Sequence, residues 1–163
     1  MKLLKFLTDG MLGKLTRWLR MLGHDVEYSK SLDDDHLIER AKEEGRILLT
    51  RDLKLYQRAT SLGVDTFFVE GKTEGEKLAE LAKRFNLKLE IDVATSYCPK
   101  CNTRIEVVSK AEVANQVPKT TYAYYNEFWK CPKCGQIYWQ GAHWKRIEVT
   151  LKNARETLEK QRP

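Results

Sequence analysis

The 163-residue chain lacks both a long uncharged apolar segment and an apolar leader. Its apolar runs are far shorter than the about 20 residues that a bilayer span needs. Lys2 and Lys5 interrupt the apolar residues at the start, so we expect no secretory signal. These absences argue against an integral membrane or secreted protein, and the expected location is the cytoplasm. The hydrophobic fraction of 42% is enough for a buried core in one domain or two small ones.

Cysteine is missing from the first part of the chain and aspartate from the second. No cysteine precedes Cys98, and residues 96–163 carry 12 Lys/Arg against 6 Glu with no Asp. Residues 1–95 carry 17 charges of each sign, so the whole net charge of +6 lies in the second part. This break predicts two domains, 1–94 and 95–163. The second either faces a polyanion or presents an ordinary solvated basic surface.

The first part alternates strand-like apolar runs with segments of helical periodicity. The strand candidates are residues 3–7, 25–28, 46–50 and 66–69, and the helical segments are 11–22, 34–44, 53–62 and 74–85. This alternation predicts an α/β fold, with a parallel sheet flanked by helices on both faces. The second part predicts two metal knuckles with short strands, an irregular stretch over 109–125, and a short strand with a charged helix over 145–161.

Three aspartates lie at the strand-to-helix junctions of the predicted sheet. Asp9 follows the first strand, Asp34 opens the helix after the second, and Asp52 follows the third. These junctions share one edge of a parallel sheet, where such folds bind ligands. Clustered carboxylates repel each other unless a hard cation such as Mg²⁺ or Mn²⁺ lies between them. Each aspartate could instead be only a helix N-cap.

Further acids lie near the fourth strand and in the run Asp33–Asp35. Glu70, after the fourth strand, is a possible fourth acid. Asp65 begins that strand and should lie at the opposite edge. Within the run Asp33–Asp35 we choose Asp34 as the site acid, although the sequence leaves that choice open.

Basic residues lie close to the acids along the chain. Lys14, Arg17 and Arg20 belong to the first helical segment and lie off its apolar stripe, and Arg51 directly precedes Asp52. Arginine can hold phosphate with two parallel hydrogen bonds. We therefore regard these four residues as candidate substrate contacts. The alternative is that they are ordinary surface charges.

Two matched Cys-x-x-Cys pairs predict a zinc site. The ligands would be Cys98, Cys101, Cys131 and Cys134. Four thiolates close a tetrahedral Zn²⁺ site and leave no open position, so the ion would be structural. Redox chemistry by one pair is the alternative.

Flat aromatic rings lie among the basic residues of the second part. The basic residues are Lys119, Lys130, Lys145 and Arg146, and the rings are Tyr122, Tyr124, Tyr125, Trp129, Tyr138, Trp139 and Trp144. Mixed rings and cations suit single-stranded nucleic acid. Trp139, His143 and Trp144 are the candidate contacts. The alternative is that most of the rings form the core of the small ribbon or the domain interface.

Three segments, TDGMLG (8–13), EGRILLTRD (44–52) and YWQGAHW (138–144), carry a family resemblance. Together with the paired cysteines, they resemble the Mut-seven C-terminal RNase domain family over residues 3–148. That family joins a PIN-like nuclease fold to a C-terminal zinc ribbon. The resemblance implies a metal-dependent ribonuclease, or an RNA-binding relative, whose acids would be Asp9, Asp34 and Asp52.

The sequence therefore supports three hypotheses about function. The first is an RNA endonuclease with Mg²⁺ or Mn²⁺ at the three aspartates, for which DNA is not excluded as a substrate. The second is a non-catalytic RNA-binding module of PIN-like fold. The third is a protein-interaction adaptor built around the ribbon.

Overall fold

Four short apolar runs form a parallel sheet in the computed structural model, which describes residues 4–161. The strands are β1 (Lys5–Thr8), β2 (Asp25–Tyr28), β3 (Ile47–Thr50) and β4 (Thr66–Phe68), in the order β2-β1-β3-β4. The helices that follow them are α1 (Gly13–Met21), α2 (Asp34–Glu44), α3 (Leu53–Ser61) and α4 (Glu74–Phe85). The predicted α/β fold with a parallel sheet is confirmed. Residue 3 of the predicted first strand lies outside the described residues.

The sheet buries both of its faces. Side chains alternate along a strand, so Phe6 packs on one face of β1 and Leu7 on the other. The Phe6 face is covered by α1 and α4, and the Leu7 face by α2 and α3. Leu48 and Leu49 divide in the same way on β3. Helices therefore flank both faces, as the alternating pattern predicts.

The second part of the chain forms a small antiparallel sheet, here called the ribbon. Its strands are β5 (Glu106–Val108), β6 (Phe128–Lys130) and β7 (Ile137–Tyr138), paired in that order. The stretch predicted to be irregular contains a short helix, α5 (Lys119–Tyr124). Phe128 and Trp129 are buried in the ribbon, so part of the aromatic content forms its core.

The terminal helix α6 (Trp144–Lys160) returns to the first domain. Its buried residues Leu151, Ala154 and Leu158 recur at helical spacing and join the core that contains α4. The predicted boundary grouped this helix with the ribbon, whereas its buried residues pack with those of α4. The short strand predicted at its start is wrong, because the chain is helical from Trp144. Among the described residues, no helix has both the length and the apolar character needed to cross a bilayer.

Partly buried polar contacts fasten the ribbon to the amino-terminal end of β2. The Arg20 guanidinium donates to the Val26 carbonyl through Nε (3.0 Å) and Nη2 (2.8 Å), and to the Pro99 carbonyl through Nη1 (2.8 Å). Asn102 Nδ2 donates to Asp25 Oδ1 (2.7 Å), and its Oδ1 accepts from the Val26 N–H (2.9 Å). The ribbon is thus docked on the edge strand of the parallel sheet.

The burial of Arg20 corrects one predicted substrate contact. Its side chain is only 8% exposed, and its hydrogen bonds run to carbonyls of the protein itself. Arg20 therefore joins the two parts of the chain instead of facing a ligand.

Replacing Arg20 with Met tests this structural role. The variant leaves the Val26 and Pro99 carbonyls without their charged donor, so we expect a loss of about 3 kcal/mol in the free energy of unfolding. Urea unfolding followed by tryptophan fluorescence measures this. The matched control is Arg17→Met, an exposed position one turn earlier on α1, which should change stability by less than about 0.5 kcal/mol. Equal stability of the two variants would contradict the role.

Candidate active site and metal centre

Asp9 stands at the carboxyl end of β1 and is almost fully buried. Its Oδ1 accepts from the Met11 N–H at 3.0 Å, which caps a short 3-10 turn. Its Oδ2 accepts from the Thr50 hydroxyl at 2.5 Å. Only 7% of the residue is exposed. These bonds fix the carboxylate at the edge of the sheet.

Thr50 links Asp9 to Asp52. While its hydroxyl donates to Asp9, the same oxygen accepts from the Asp52 N–H at 2.9 Å. Asp52 Oδ1 in turn accepts from the Lys54 and Leu55 N–H groups and caps α3. Strands β1 and β3 are hydrogen-bonded neighbours, so the two aspartates belong to one local network. Sequence analysis missed Thr50, although a threonine two residues before an aspartate at a buried strand end was visible.

The run Asp33–Asp35 separates into three environments. Asp33 caps α2 through the His36 N–H (2.9 Å) and also contacts the His36 ring, while Asp35 pairs with Arg58. Partial burial raises the pKa of the Asp34 carboxyl above its ordinary value, and the negative charge of Asp52 raises it further. Asp34 is thus the member of the run whose charge is opposed by its surroundings.

The three aspartates share this edge but do not surround a single point. Within residues 4–161, the four cysteines are the one set of three or more His, Cys, Asp or Glu side chains whose ligand atoms all lie within 4.8 Å. Because hydrogen bonds hold the Asp9 carboxylate, a cation shared by the three aspartates would require the Asp34 and Asp52 side chains to rotate toward it. Their oxygen donors are of the type that Mg²⁺ and Mn²⁺ prefer.

The remaining predicted residues near this edge are distributed around it. Arg51 is half-buried, and its Nη1 donates to the Gly71 carbonyl. Lys14 and Arg17 are exposed on the first two turns of α1, directly after Asp9. Glu70 is also exposed, and its N–H donates to Glu80 Oε1 at 2.9 Å.

The four cysteines form a compact tetrad in the ribbon. Cys98 and Cys131 are buried, Cys101 is half-buried and Cys134 is exposed, and none forms a disulfide. Cys101 and Cys131 Sγ lie 3.2 Å apart, and Cys98 and Cys134 Sγ lie 3.7 Å apart. Although burial opposes ionisation, hydrogen bonds to Thr103 and Cys131 lower the pKa of the Cys101 thiol to about 6. The set fits a closed, structural zinc site.

Trp139, His143 and Trp144 are brought together around one cavity between the ribbon and the first domain. Trp139 and Trp144 are half-buried and His143 is exposed. The Trp139 ring packs on Phe128 with a centroid distance of 6.3 Å. By contrast, Tyr124 is 78% exposed. The three predicted RNA contacts therefore line the same cavity, away from the aspartates.

Metal removal tests the zinc site. The purified protein should carry one zinc ion per chain, and Cys131→Ser or a strong chelator should release it and unfold the ribbon. Metal analysis and near-ultraviolet circular dichroism measure both effects. Lys133→Ala, an exposed position in the same knuckle, is the control and should retain the metal. A Cys131→Ser variant with full zinc content and an unchanged spectrum would contradict the assignment.

Comparison with known proteins identifies one family. No curated protein and no solved structure matches the chain. The family model described as the Mut7-C RNAse domain matches residues 4–151, which include the parallel sheet, the ribbon and the first half of α6. The resemblance inferred from sequence is confirmed, and the chain belongs to the Mut7-C RNAse domain family.

Proposed function

We propose that the protein is a divalent-metal-dependent ribonuclease that cleaves RNA internally, with Asp9, Asp34 and Asp52 as its catalytic acids. The observation that carries the proposal is the network in which Thr50 joins Asp9 to the backbone of Asp52. A nearly buried carboxylate fixed this tightly at the ligand-binding edge of a parallel sheet is prearranged for chemistry. Membership of an RNAse domain family supports the substrate class.

Each acid has a distinct part in this proposal. Asp9 is the rigid member, because two hydrogen bonds hold its carboxylate. Asp34 supplies the carboxylate whose charge is poorly compensated, which favours binding of a cation beside Asp52. When bound there, Mg²⁺ or Mn²⁺ would lower the pKa of a water molecule and stabilise charge on the phosphoryl oxygens.

Basic residues beside the acids would hold the RNA backbone. Arg51 directly precedes Asp52, and its bond to the Gly71 carbonyl fixes the guanidinium near the edge. Lys14 and Arg17 extend the positive charge along α1. We leave Arg20 out of this role because its side chain is buried.

The ribbon would bind RNA and depend on structural zinc for its fold. Its basic residues, together with Trp139, His143 and Trp144 around one cavity, suit a single strand. The thiolate ligands fit a reducing cytoplasm, which is where we place the protein.

A non-catalytic RNA-binding protein is the second candidate. Asp9 and Asp52 both cap helical turns, and this structural role would explain their presence even if the protein catalysed no reaction. This candidate predicts RNA binding without cleavage at any divalent metal concentration.

Cleavage of mixed cellular RNA with and without Mn²⁺ tests the proposal. The double variant Asp9→Asn, Asp52→Asn should lose about 100-fold or more of the activity, because the negative charges that bind the cation are gone. Asparagine still caps helices, so the fold should survive.

Asp65→Asn, at the opposite edge, is the matched control and should keep full activity. Full activity in the double variant would defeat the nuclease proposal. Metal-independent binding with no cleavage would favour the second candidate.

A further inference from the structure

A cavity of about 140 Å³ lies where the ribbon meets the end of α1 and the start of α6. Much of its lining is aromatic or aliphatic. Its walls include Met21, Ile105, Trp129, Tyr138, Trp139 and Trp144. We infer that this cavity binds one unstacked base of a single-stranded RNA. The choice of RNA rests on the proposed function, but the binding step requires no cleavage.

Contacts between the two parts of the chain hold the cavity open. Ser96 Oγ donates to the Met21 carbonyl at 2.6 Å, and the Tyr97 N–H donates to the Arg20 carbonyl at 2.9 Å. Both bonds fasten the ribbon to the last turn of α1, which forms one wall. The site is therefore preformed, so little ordering of the protein opposes binding.

The rings of the cavity are fixed by their surroundings. A Cβ added to Gly141 would lie 2.8 Å from Trp139 Nε1, so this indole packs directly against the glycine backbone. The Tyr138 hydroxyl lies 3.1 Å from Cys98 Sγ, which ties a second ring to the cysteine tetrad. Rigid flat surfaces with an apolar face are what a base stacks on. The volume of about 140 Å³ suits a single base.

Charge around the cavity favours a nucleic-acid strand over a neutral apolar ligand. Lys145 and Arg146 are exposed on the first turn of α6, next to Trp144. His143 is exposed at the cavity itself, and Glu148 is the acid in the same stretch of helix. These cations would hold phosphates on either side of an inserted base.

The cavity and the aspartates lie at opposite ends of α1. This helix runs for nine residues, or about 13 Å at about 1.5 Å per residue, from the turn after Asp9 to Met21. The base in the cavity and the phosphate at the aspartates therefore belong to different nucleotides. The cavity would anchor the strand away from the point of cleavage.

Binding to oligonucleotides by the zinc-loaded protein, with no added Mg²⁺ or Mn²⁺, tests the inference. The probes are a 12-nucleotide oligoadenylate and an abasic ribose-phosphate strand of equal length, both measured by fluorescence anisotropy. The wild type should bind the base-bearing strand more tightly. Trp144→Leu keeps an apolar side chain without the stacking surface, so it should weaken that binding about tenfold and leave binding of the abasic strand unchanged. Equal affinity of the wild type for both strands would overturn the inference.

The matched control is Tyr124→Leu, which removes an exposed ring outside the cavity. It should bind both probes like the wild type, and a larger loss than for Trp144→Leu would overturn the assignment to the cavity. Wild-type protein with 2-aminopurine at one position of the strand provides a readout that needs no variant. Stacking on the indoles should quench the probe, and unchanged emission would contradict it.

The outcome separates this inference from the nuclease proposal. Base-dependent binding by the Asp9→Asn, Asp52→Asn protein supports the cavity even if no cleavage is found. Cleavage by a wild type that binds both strands equally supports the nuclease and rejects the cavity.

Discussion

Parallel strands all end at the same edge of their sheet, and this constraint determines where the chemistry of the protein can lie. Strands β1 and β3 are hydrogen-bonded neighbours, so the residues that follow them lie close together. The Thr50 hydroxyl then uses its donor on Asp9 and its acceptor on the Asp52 backbone. Burial makes each of these bonds costly to lose, because water cannot replace the missing partner. The hydrogen bonds of the candidate active site therefore also stabilise the sheet.

The ribbon depends on the same sheet from its other end. Arg20 and Asn102 hold it on the first residues of β2, while α6 packs its apolar face against α4. The chain thus leaves the first domain, forms the ribbon and returns to the first core. This path separates two tasks in our account. Metal-dependent chemistry would occupy the carboxyl edge of the sheet, and attachment of the RNA strand would occupy the junction with the ribbon.

Features that depend on residues close together in the chain could be predicted from the sequence. Periodic apolar residues and glycine stops were enough for the four strand-helix pairs, and the cysteine spacing was enough for the tetrad. Longer-range features were not predictable in this way. Arg20 lies off the apolar stripe of its helix, yet carbonyls from β2 and the ribbon surround it. The terminal helix shows an apolar stripe in sequence, but only the folded chain identifies α4 as its partner. The environments of Asp33, Asp34 and Asp35 differ because of three other residues. These are His36 on α2, Asp52 at the N-cap of α3 and Arg58 in the last turn of α3.

The ionisation of Asp34 tests the central claim, that three carboxylates share a hard cation, most directly. Carbon-detected NMR of the side-chain carboxyl groups can follow its titration with and without Mg²⁺. Without the ion, our account predicts a pKa above the ordinary aspartate value, because burial and the charge of Asp52 oppose ionisation. With Mg²⁺, the pKa of Asp34 should fall, and affinity for the ion should decrease as the pH drops and the carboxylates become protonated. The carboxyl signal of Asp65, at the opposite edge, should not respond to added Mg²⁺. An Asp34 titration that is unaffected by Mg²⁺ would contradict the account.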